Sequence, residues 1–365
     1  MSSPIKHPPS SNISLAKSLR QYIRSSLCGL YGVQAQLTVA MDNAYGYNIG
    51  ATDFDPNIIF PEIITLGNPL SAILQKQLKP VQEIAFENFI LYCLASIVYG
   101  SNMIERAGSG PGITLKLCMA IFRSEEVSGD IRETEDEFLK LKKYLLRNNL
   151  PANTSAVLCS RREIVQHAKA ASYLISQLCI HDQDLNEEII LQTHQILTYK
   201  VDAENTHWKE YSGVYRTDEV SAGLHQFPHH SLVPYKMKAM VRELKSDLKA
   251  AAKKGTIDHI ALASKYTHIF VNIHPFIDGN GRMCRLILNS ILLKLGSFLV
   301  CIGEKEEDRA IYLEVACKGS ALEETHGDLD EEEKPVMHRE LGRFVMSHVK
   351  KSMQKLVTTI LFEVS

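Results

Sequence analysis

The sequence lacks several features that mark whole classes of protein. Its 40 Lys and Arg residues nearly balance 42 Asp and Glu residues, so the net charge of −2 provides no basic excess for binding nucleic acid or a charged membrane. No run approaches the roughly 18 apolar residues of a transmembrane helix, and residues 1–14 are polar and contain proline, unlike a signal segment. We therefore expect a cytoplasmic protein, with the nucleus as the alternative, and no nucleic-acid or membrane partner.

The cysteines also lack the spacing of a metal or disulfide framework. None of the eight forms a C-x-x-C pair, which argues against a zinc ribbon and against a disulfide scaffold. We expect reduced thiols at Cys28, Cys93, Cys118, Cys159, Cys179, Cys284, Cys301 and Cys317. The hydrophobic content of 45% is sufficient for a substantial core in a chain of 365 residues.

The most informative stretch that is present runs from residue 274 to 285 and reads His-Pro-Phe-Ile-Asp-Gly-Asn-Gly-Arg-Met-Cys-Arg. Apolar residues at helical spacing predict a buried helix over about 258–273. Pro275 ends it, which places His274 at the helix exit with its ring free to face a cleft. Turn-forming residues follow, and the apolar run 286–295 predicts a second buried helix. The sequence therefore predicts a glycine-bearing loop that leads into a helix N-terminus.

That arrangement suits a nucleotide phosphate. A helix N-terminus favours an anion, and Arg282 and Arg285 share one side of the first turn, where each can bind phosphate through two hydrogen bonds. Asp278 can hold a Mg²⁺ ion that bridges phosphate oxygens. His274 can accept a proton, a contribution of about 10²–10⁴-fold. A metallohydrolase is a weaker alternative, because no second metal ligand has suitable spacing around His274.

The same twelve residues resemble the Fic family motif, His-Pro-Phe-x-Asp/Glu-Gly-Asn-Gly-Arg-x-x-Arg, at every specified position. The resemblance implies an all-α, mainly helical Fic fold with a small β-hairpin flap. It also implies transfer of AMP from ATP to a Ser, Thr or Tyr hydroxyl of a target protein. By position, it makes His274 the general base and Asp278 the Mg²⁺ ligand. It assigns the anion hole and the β- and γ-phosphates to Gly279, Asn280, Gly281, Arg282 and Arg285.

Gly281 bears on the reaction within that family. The Doc-type kinases carry Lys at the equivalent position and bind the nucleotide in reverse, so glycine favours nucleotidyl transfer over phosphorylation. The resemblance extends to residues 213–223, which are similar to the flap and predict a target protein docked on residues 213–235 by β-augmentation. Within it, Val220 and Gly223 are expected near the nucleotide. Tyr312 is expected on the adenine side, where Leu313 replaces the family's second aromatic residue.

An upstream segment resembles the family's inhibitory motif, Ser/Thr-x-x-x-Glu-Gly/Asn. Here it begins at Ser101, and the resemblance implies that Glu105 pairs with Arg285 and blocks the γ-phosphate. Arg106 departs from Gly/Asn. The helix-stopping residues 107–112 place Glu105 near a helix C-terminus, where a carboxylate opposes the helix dipole unless a cation compensates.

These features divide the chain into a poorly determined extension (1–75), a helical region with the inhibitory motif (76–160), a Fic core (161–318), and an acidic loop with a C-terminal helix (319–365). Within them, residues 1–14 are expected to be disordered, 15–75 to mix short helices and turns, and 117–147 to be helical. Residues 319–335 are expected to form a solvated loop before a helix over about 336–360. We find no internal repeat.

Two alternatives to AMP transfer stay open from the sequence. The same site would remove AMP from a modified protein if Glu105 positioned a water molecule. The domain would be a catalytically silent nucleotide-binding interaction module if its chemistry had been lost. A homodimer is also left open.

Overall fold

The structure is a computed structural model that describes residues 14–31, 37–50, 54–204, 206–222, 225–327, 329–330 and 333–362. The disorder expected for residues 1–14 falls outside these ranges except at Ser14. The described residues are mainly helical and include a two-stranded hairpin, which confirms the predicted fold class.

The helices and strands have the following bounds. The helices are α1 (Leu15–Tyr31), α2 (Pro56–Leu74), α3 (Pro80–Ile104), α4 (Pro111–Phe122), α5 (Asp136–Arg147), α6 (Thr154–Ile175), α7 (Glu187–Leu197), α8 (Trp208–Tyr211), α9 (Val233–Lys254), α10 (His259–Ile273), α11 (Asn280–Gly296), α12 (Glu306–His326) and α13 (Arg339–Phe362). The strands are β1 (Thr38–Val39), β2 (Ser221–Ala222), β3 (His225–Gln226) and β4 (Thr256–Ile257). β1 pairs with β4 in parallel, and β2 pairs with β3 antiparallel.

The centre of the fold is the pair α10 and α11, which pack against each other. α11 is buried on almost every side, as expected of a helix whose apolar residues do not keep to one face. α10 also packs on α13, and α3 reaches the same core beside α4, α6 and α11. The loop between α10 and α11 is therefore held by the best-packed part of the molecule.

Two helices within residues 15–75 correct the expectation of short elements there. α1 has 17 residues and α2 has 19. α2 contains Pro61 and Pro69, which normally break helices. It buries Phe60, Ile63 and Leu70 in the core, and this packing outweighs the local cost of the two prolines.

Two further boundaries differ from the expectations. The predicted helix over 117–147 is two helices: α4 ends at Phe122, Ser124 follows its C-cap in the left-handed conformation with φ of 66°, and α5 begins at Asp136. The expected acidic loop begins as helix, since α12 continues to His326. Its glutamates have partners: Glu323 lies 3.2 Å from His268 and Glu324 lies 3.4 Å from His225. These contacts hold the acidic segment against the fold.

α2 and α3 are long and apolar enough to cross a membrane by length and composition alone. The most apolar window of α3 is 67% buried inside the protein, as in a core helix, and that of α2 is 33% buried. The core helices of soluble proteins can have the same length and composition, so the expected absence of a membrane partner stays a prediction.

Candidate active site

His274 ends α10 in the left-handed conformation, with φ of 49° and ψ of 62°. Its Nδ1–H donates to the carbonyl of Val271 at 3.1 Å, because a carbonyl can only accept. Nε2 therefore carries the free lone pair. The ring stacks on Phe227 at 3.8 Å between centroids, with 15° between the planes. The turn and the stacking together fix the direction of the imidazole.

The surroundings of His274 keep it neutral. Burial lowers its pKa to about 4, the Val271 carbonyl works in the opposite direction, and the Arg216 guanidinium lowers it further. At neutral pH the ring is therefore unprotonated and able to accept a proton at Nε2.

The loop after His274 is closed by Asn280. Its side chain accepts from the Phe276 amide at 3.0 Å and donates to the Phe276 carbonyl at 2.8 Å. The side chain is thus used inside the loop, which leaves the backbone amide of Asn280 for the expected anion hole. Gly279 caps α11 at φ of 81°, a conformation that favours glycine. The first amides of α11 have no intrahelical partners and point out of the helix N-terminus.

Arg282 is 3% exposed and pairs with the Asp278 carboxylate at 2.7 Å. Its Nε and Nη1 atoms are buried without a hydrogen-bond partner among the described residues. Although burial opposes it, the charges of Asp278 and Glu163 raise the pKa of Arg282, which stays cationic. A guanidinium with free buried donors favours an anion beside it.

The Asp278 carboxylate fits the expected Mg²⁺ ligand. It is 42% exposed and binds Arg282 through Oδ2, while Oδ1 has no hydrogen bond among the described residues. Mg²⁺ commonly takes one or two protein carboxylates and completes its octahedron with water and phosphate oxygens. One accessible carboxylate oxygen beside a helix N-terminus meets that requirement.

Arg285 is also 3% exposed, and its partners come from the end of α3. It donates to the Ser101 hydroxyl at 2.8 Å, to the Ser101 carbonyl at 3.0 Å and to Glu105 Oε1 at 2.5 Å. The ion pair with Glu105 that the resemblance implied is therefore present. The guanidinium lies over the Tyr312 ring at 5.5 Å from the centroid.

The Glu105 carboxylate lies directly over Gly281. A Cβ atom at Gly281 would overlap Oε1 of Glu105. Glycine at this position consequently leaves room for the carboxylate at the N-terminus of α11, where the sequence predicted a phosphate. Glu105 therefore lies over the first amides of α11 and accepts from Nη2 of Arg285.

Arg106 occupies the position at which the inhibitory motif has Gly or Asn, and its backbone conformation suits those two residues. It follows the C-cap of α3 with φ of 55°. Its amide donates to the Met103 carbonyl, and the Ala107 amide donates to the Asn102 carbonyl at 2.9 Å, as in a Schellman motif. Arg106 adopts the left-handed conformation that Gly and Asn adopt more readily.

His194 supports the loop and was not among the predicted site residues. Its Nδ1 accepts from the Gly213 amide at 3.0 Å, so its Nε2–H donates to the Asp278 carbonyl at 2.9 Å. The ring stacks on Phe276 at 3.6 Å, and burial lowers its pKa to about 4. The signal available in the sequence was a histidine on the apolar face of the amphipathic helix α7.

Arg216 is a second supporting residue that sequence reasoning missed, although it lies in the stretch that resembles the flap. It is 3% exposed and donates to the carbonyls of His274 at 2.7 Å, Asp218 at 2.8 Å and Pro228 at 2.5 Å. One guanidinium thus joins the loop between α10 and α11 to both limbs of the hairpin.

The remaining predicted residues have the following positions. Ser101 is buried at 1% exposure and binds Arg285. Val220 is half-buried directly before β2, while Gly223 lies outside the described residues. Tyr312 is 5% exposed, with its ring against Arg285 and its hydroxyl 3.6 Å from the Cys284 sulfur. Contact between Tyr312 and a nucleobase stays a prediction.

Comparison with known proteins finds a family match that includes the loop between α10 and α11. Residues 184–292 match the Fic/DOC family. A Fido domain-containing protein of Dictyostelium discoideum is 38% identical over 84 residues, which are 23% of this chain and 56% of that protein. The protein adenylyltransferase Fic of Drosophila yakuba is 28% identical over 158 residues, which are 43% of this chain and 30% of that protein. The matched part thus spans about half and about a third of these relatives.

Solved structures show the same fold. A Fic domain containing signaling protein from Bacteroides thetaiotaomicron has a TM-score of 0.57 at 19% identity, over 83% of this chain and 97% of its own. Fic-1 from C. elegans has a TM-score of 0.54 at 20% identity, over 94% and 82%. At these identities the likeness extends to the fold.

Proposed function

We propose that this chain, which contains a domain of the Fic/DOC family, is a protein adenylyltransferase that transfers AMP from ATP to a Ser, Thr or Tyr hydroxyl of a target protein. The observation that carries the proposal is the convergence of a neutral His274 with the N-terminus of α11 and two buried arginines. The target would dock along the hairpin at residues 213–235, whose strand edge can pair with an extended segment.

In the proposed reaction the target hydroxyl attacks the α-phosphorus of ATP. His274 Nε2 takes the hydroxyl proton as the new O–P bond forms, and the bond to the departing pyrophosphate breaks. The first amides of α11 and the donors of Arg282 and Arg285 stabilise the charge on the phosphates. When Mg²⁺ is bound at Asp278, it neutralises further phosphate charge.

The contact of Glu105 with Arg285 supports an inhibited resting state. Glu105 already accepts from Nη2 of Arg285 at 2.5 Å, so a γ-phosphate would have to compete with this carboxylate for the guanidinium. The Glu105 carboxylate over Gly281 also places negative charge where the phosphate would lie. Both effects hinder productive ATP binding until Glu105 moves away.

The same carboxylate favours one second candidate function, removal of AMP. Glu105 lies at the N-terminus of α11 and close enough to His274 to raise its pKa, although burial is the larger influence and lowers it. A carboxylate there could orient a water molecule toward an AMP group on a modified protein. Incubation of an AMP-modified protein with Mg²⁺ would release AMP with the wild type and less with Glu105→Gly.

The test of the main proposal is transfer of label from ATP to protein. We expect Glu105→Gly to incorporate more label from [α-³²P]ATP than the wild type, by about 5–150-fold for a coupling of 1–3 kcal/mol. The double variant Glu105→Gly with His274→Ala should incorporate none while still binding ATP. [γ-³²P]ATP is the control for kinase activity and should leave no label.

Two outcomes would contradict the proposal. ATP binding without α-label in any variant would indicate a silent nucleotide-binding module. Equal labelling of the double variant and Glu105→Gly would remove His274 from the role of general base.

A further inference from the structure

Three potential metal ligands lie on the flap, away from Asp278. Glu219 precedes β2, and His229 and His230 follow β3, so the two limbs of the hairpin provide them. One ligand atom from each residue lies within 4.8 Å of the other two, and among the described residues no other group of three meets this criterion.

The spacing of the first two ligands suits a tetrahedral ion. His229 Nε2 lies 3.3 Å from Glu219 Oε1. Zinc binds imidazole nitrogen and carboxylate oxygen at about 2.0–2.2 Å, which places two ligand atoms at the tetrahedral angle about 3.3–3.5 Å apart. The side chains of Glu219 and His229 are 58% and 59% exposed, so they can rotate to close on the third ligand.

The backbone that carries the ligands is fixed from within the protein. The buried Arg216 guanidinium donates to the carbonyl of Asp218, one residue before Glu219, at 2.8 Å. It also donates to the carbonyl of Pro228, one residue before His229, at 2.5 Å. Both ligand-bearing segments are therefore held by one side chain, which lowers the conformational cost of bringing the ligands together.

Ser231 orients the His229 ring. His229 Nδ1 lies 2.8 Å from the Ser231 hydroxyl oxygen and accepts from the Ser231 amide at 3.3 Å. In the metal-free form Nε2 therefore carries the proton and faces Glu219. Metal binding at Nε2 would require the other neutral tautomer, in which the ring proton moves from Nε2 to Nδ1 by exchange with solvent, and the Ser231 hydroxyl can then accept from Nδ1–H. Histidine ligands commonly have such a partner on the second nitrogen.

We propose that Glu219, His229 and His230 form a Zn²⁺ site that joins the two limbs of the flap, with water completing the coordination. Two imidazoles and one carboxylate are a ligand set that suits Zn²⁺ rather than Mg²⁺, which prefers oxygen. The ion would hold the backbone at Pro228 and, next to it, Phe227, whose ring stacks on His274. The site does not depend on the proposed AMP transfer.

The test is Zn²⁺ titration of tag-free, chelator-stripped protein against a chromophoric chelator. We expect the wild type to bind one equivalent of Zn²⁺. His229→Gln, His230→Gln and Glu219→Gln should each lower the affinity for Zn²⁺ by about 10-fold or more, since loss of even a residue that supports a metal ligand has an effect of that size. His207→Gln is the matched control. It is an exposed histidine 3.8 Å from the Asp202 carboxylate and has no third ligand among the described residues, so its removal should change nothing.

Limited proteolysis provides a second measurement that needs no activity. Zn²⁺ should slow cleavage within residues 217–231 of the wild type and of His207→Gln, but not of His229→Gln. Thermal unfolding in chelator should be the same for all variants, because the ligands are at the surface. The proposal is overturned if the wild type binds no equivalent of Zn²⁺, as expected of an ordinary exposed ion pair. It is also overturned if the three ligand variants bind Zn²⁺ as tightly as the wild type.

Discussion

Arg282 and Arg285 lie three residues apart on one helix, are both 3% exposed, and both bind a carboxylate. Their partners differ in origin. Asp278 is four residues from Arg282, whereas Glu105 is 180 residues from Arg285. One ion pair belongs to the loop that forms the site, and the other joins the site to a separate helix. Two similar contacts can therefore have opposite effects on activity.

The two arginines also differ in the hydrogen bonds that they make besides the ion pair. Arg285 keeps two hydrogen bonds to Ser101 if Glu105 leaves, so its buried charge retains partners. Arg282 has Nε and Nη1 buried without a partner among the described residues and depends on Asp278. Loss of Asp278 should therefore affect both the protein and the reaction, while Glu105 can move at lower cost.

The largest effect is expected from Asp278→Asn in the Glu105→Gly background. The amide keeps the size of the side chain but is a poor Mg²⁺ ligand and removes the negative charge beside Arg282. We expect transfer to fall by about 100-fold or more, on the scale of removing one group that stabilises transition-state charge. The measurement is α-label incorporation as a function of Mg²⁺ concentration, with urea unfolding as the control for folding.

The two ion pairs should differ in the direction in which loss of the carboxylate changes AMP transfer. Removing the carboxylate on Arg285 should raise transfer, and removing the carboxylate on Arg282 should lower it. If Asp278→Asn transferred as fast as its parent at every Mg²⁺ concentration, Asp278 would have no part in metal binding and the comparison would fail.

The sequence predicted the two helices and the loop around residues 274–285 because the signals for them lie close together in the chain. Helical periodicity, Pro275 and the glycines of the loop predicted two buried helices and the turn between them, and α10 and α11 have those positions. The contact between Glu105 and Arg285 spans 180 residues, and no periodicity indicates it. It came from the resemblance alone.

His194 and Arg216 were missed for a physical reason. Their partners are backbone groups, namely the Gly213 amide and the Asp278, His274, Asp218 and Pro228 carbonyls. Every residue type except proline has both groups, so such contacts leave no pattern in the sequence. Residues 15–75 were expected to mix short helices and turns, and residues 319–335 to form a solvated loop. α2 instead continues through two prolines because it packs into the core, and α12 continues to His326, with Glu323 3.2 Å from His268.

The pH dependence tests how Glu105 acts on the general base. The pKa of His274 is lowered to about 4, mainly by burial, so its imidazole should stay neutral from pH 8 down to about 5. We expect transfer by Glu105→Gly to be level over that range and to fall, by about tenfold per pH unit, only below the pKa that His274 has without Glu105, which is lower than in the wild type. Glu105 raises the pKa of His274, so the wild type should lose activity at a higher pH than Glu105→Gly.

Protonation of the buried His194 should affect the stability of the protein. An unfolded histidine titrates near pH 6.5, whereas burial lowers the pKa of His194 to about 4 in the folded protein. Between these values the unfolded chain binds the proton and the folded chain does not. The free energy of unfolding should therefore fall as pH falls through this window, by up to about 1.4 kcal/mol per pH unit for this group. Urea unfolding at pH 7, 5.5 and 4.5 measures it, and a flat profile would contradict the buried neutral state.

The smallest effect concerns the end of α3 that carries Glu105. Arg106 and Ser124 both follow a helix C-cap in the left-handed conformation, with φ of 55° and 66°. The Ala107 and Glu125 amides close the two ends in the same way, each at 2.9 Å from a carbonyl of the last turn. Glycine in either place should remove strain and stabilise the protein by up to about 1 kcal/mol.

The two substitutions should differ in their effect on transfer. Arg106→Gly makes the turn after Glu105 more stable and should hold the carboxylate more firmly on Arg285, which lowers wild-type labelling by up to about 5-fold for 1 kcal/mol. Ser124→Gly is the matched control and should raise stability without changing labelling. Urea unfolding and α-label incorporation measure the two quantities. An equal fall in labelling for both variants would show that general stability, rather than the position of Glu105, sets the resting activity.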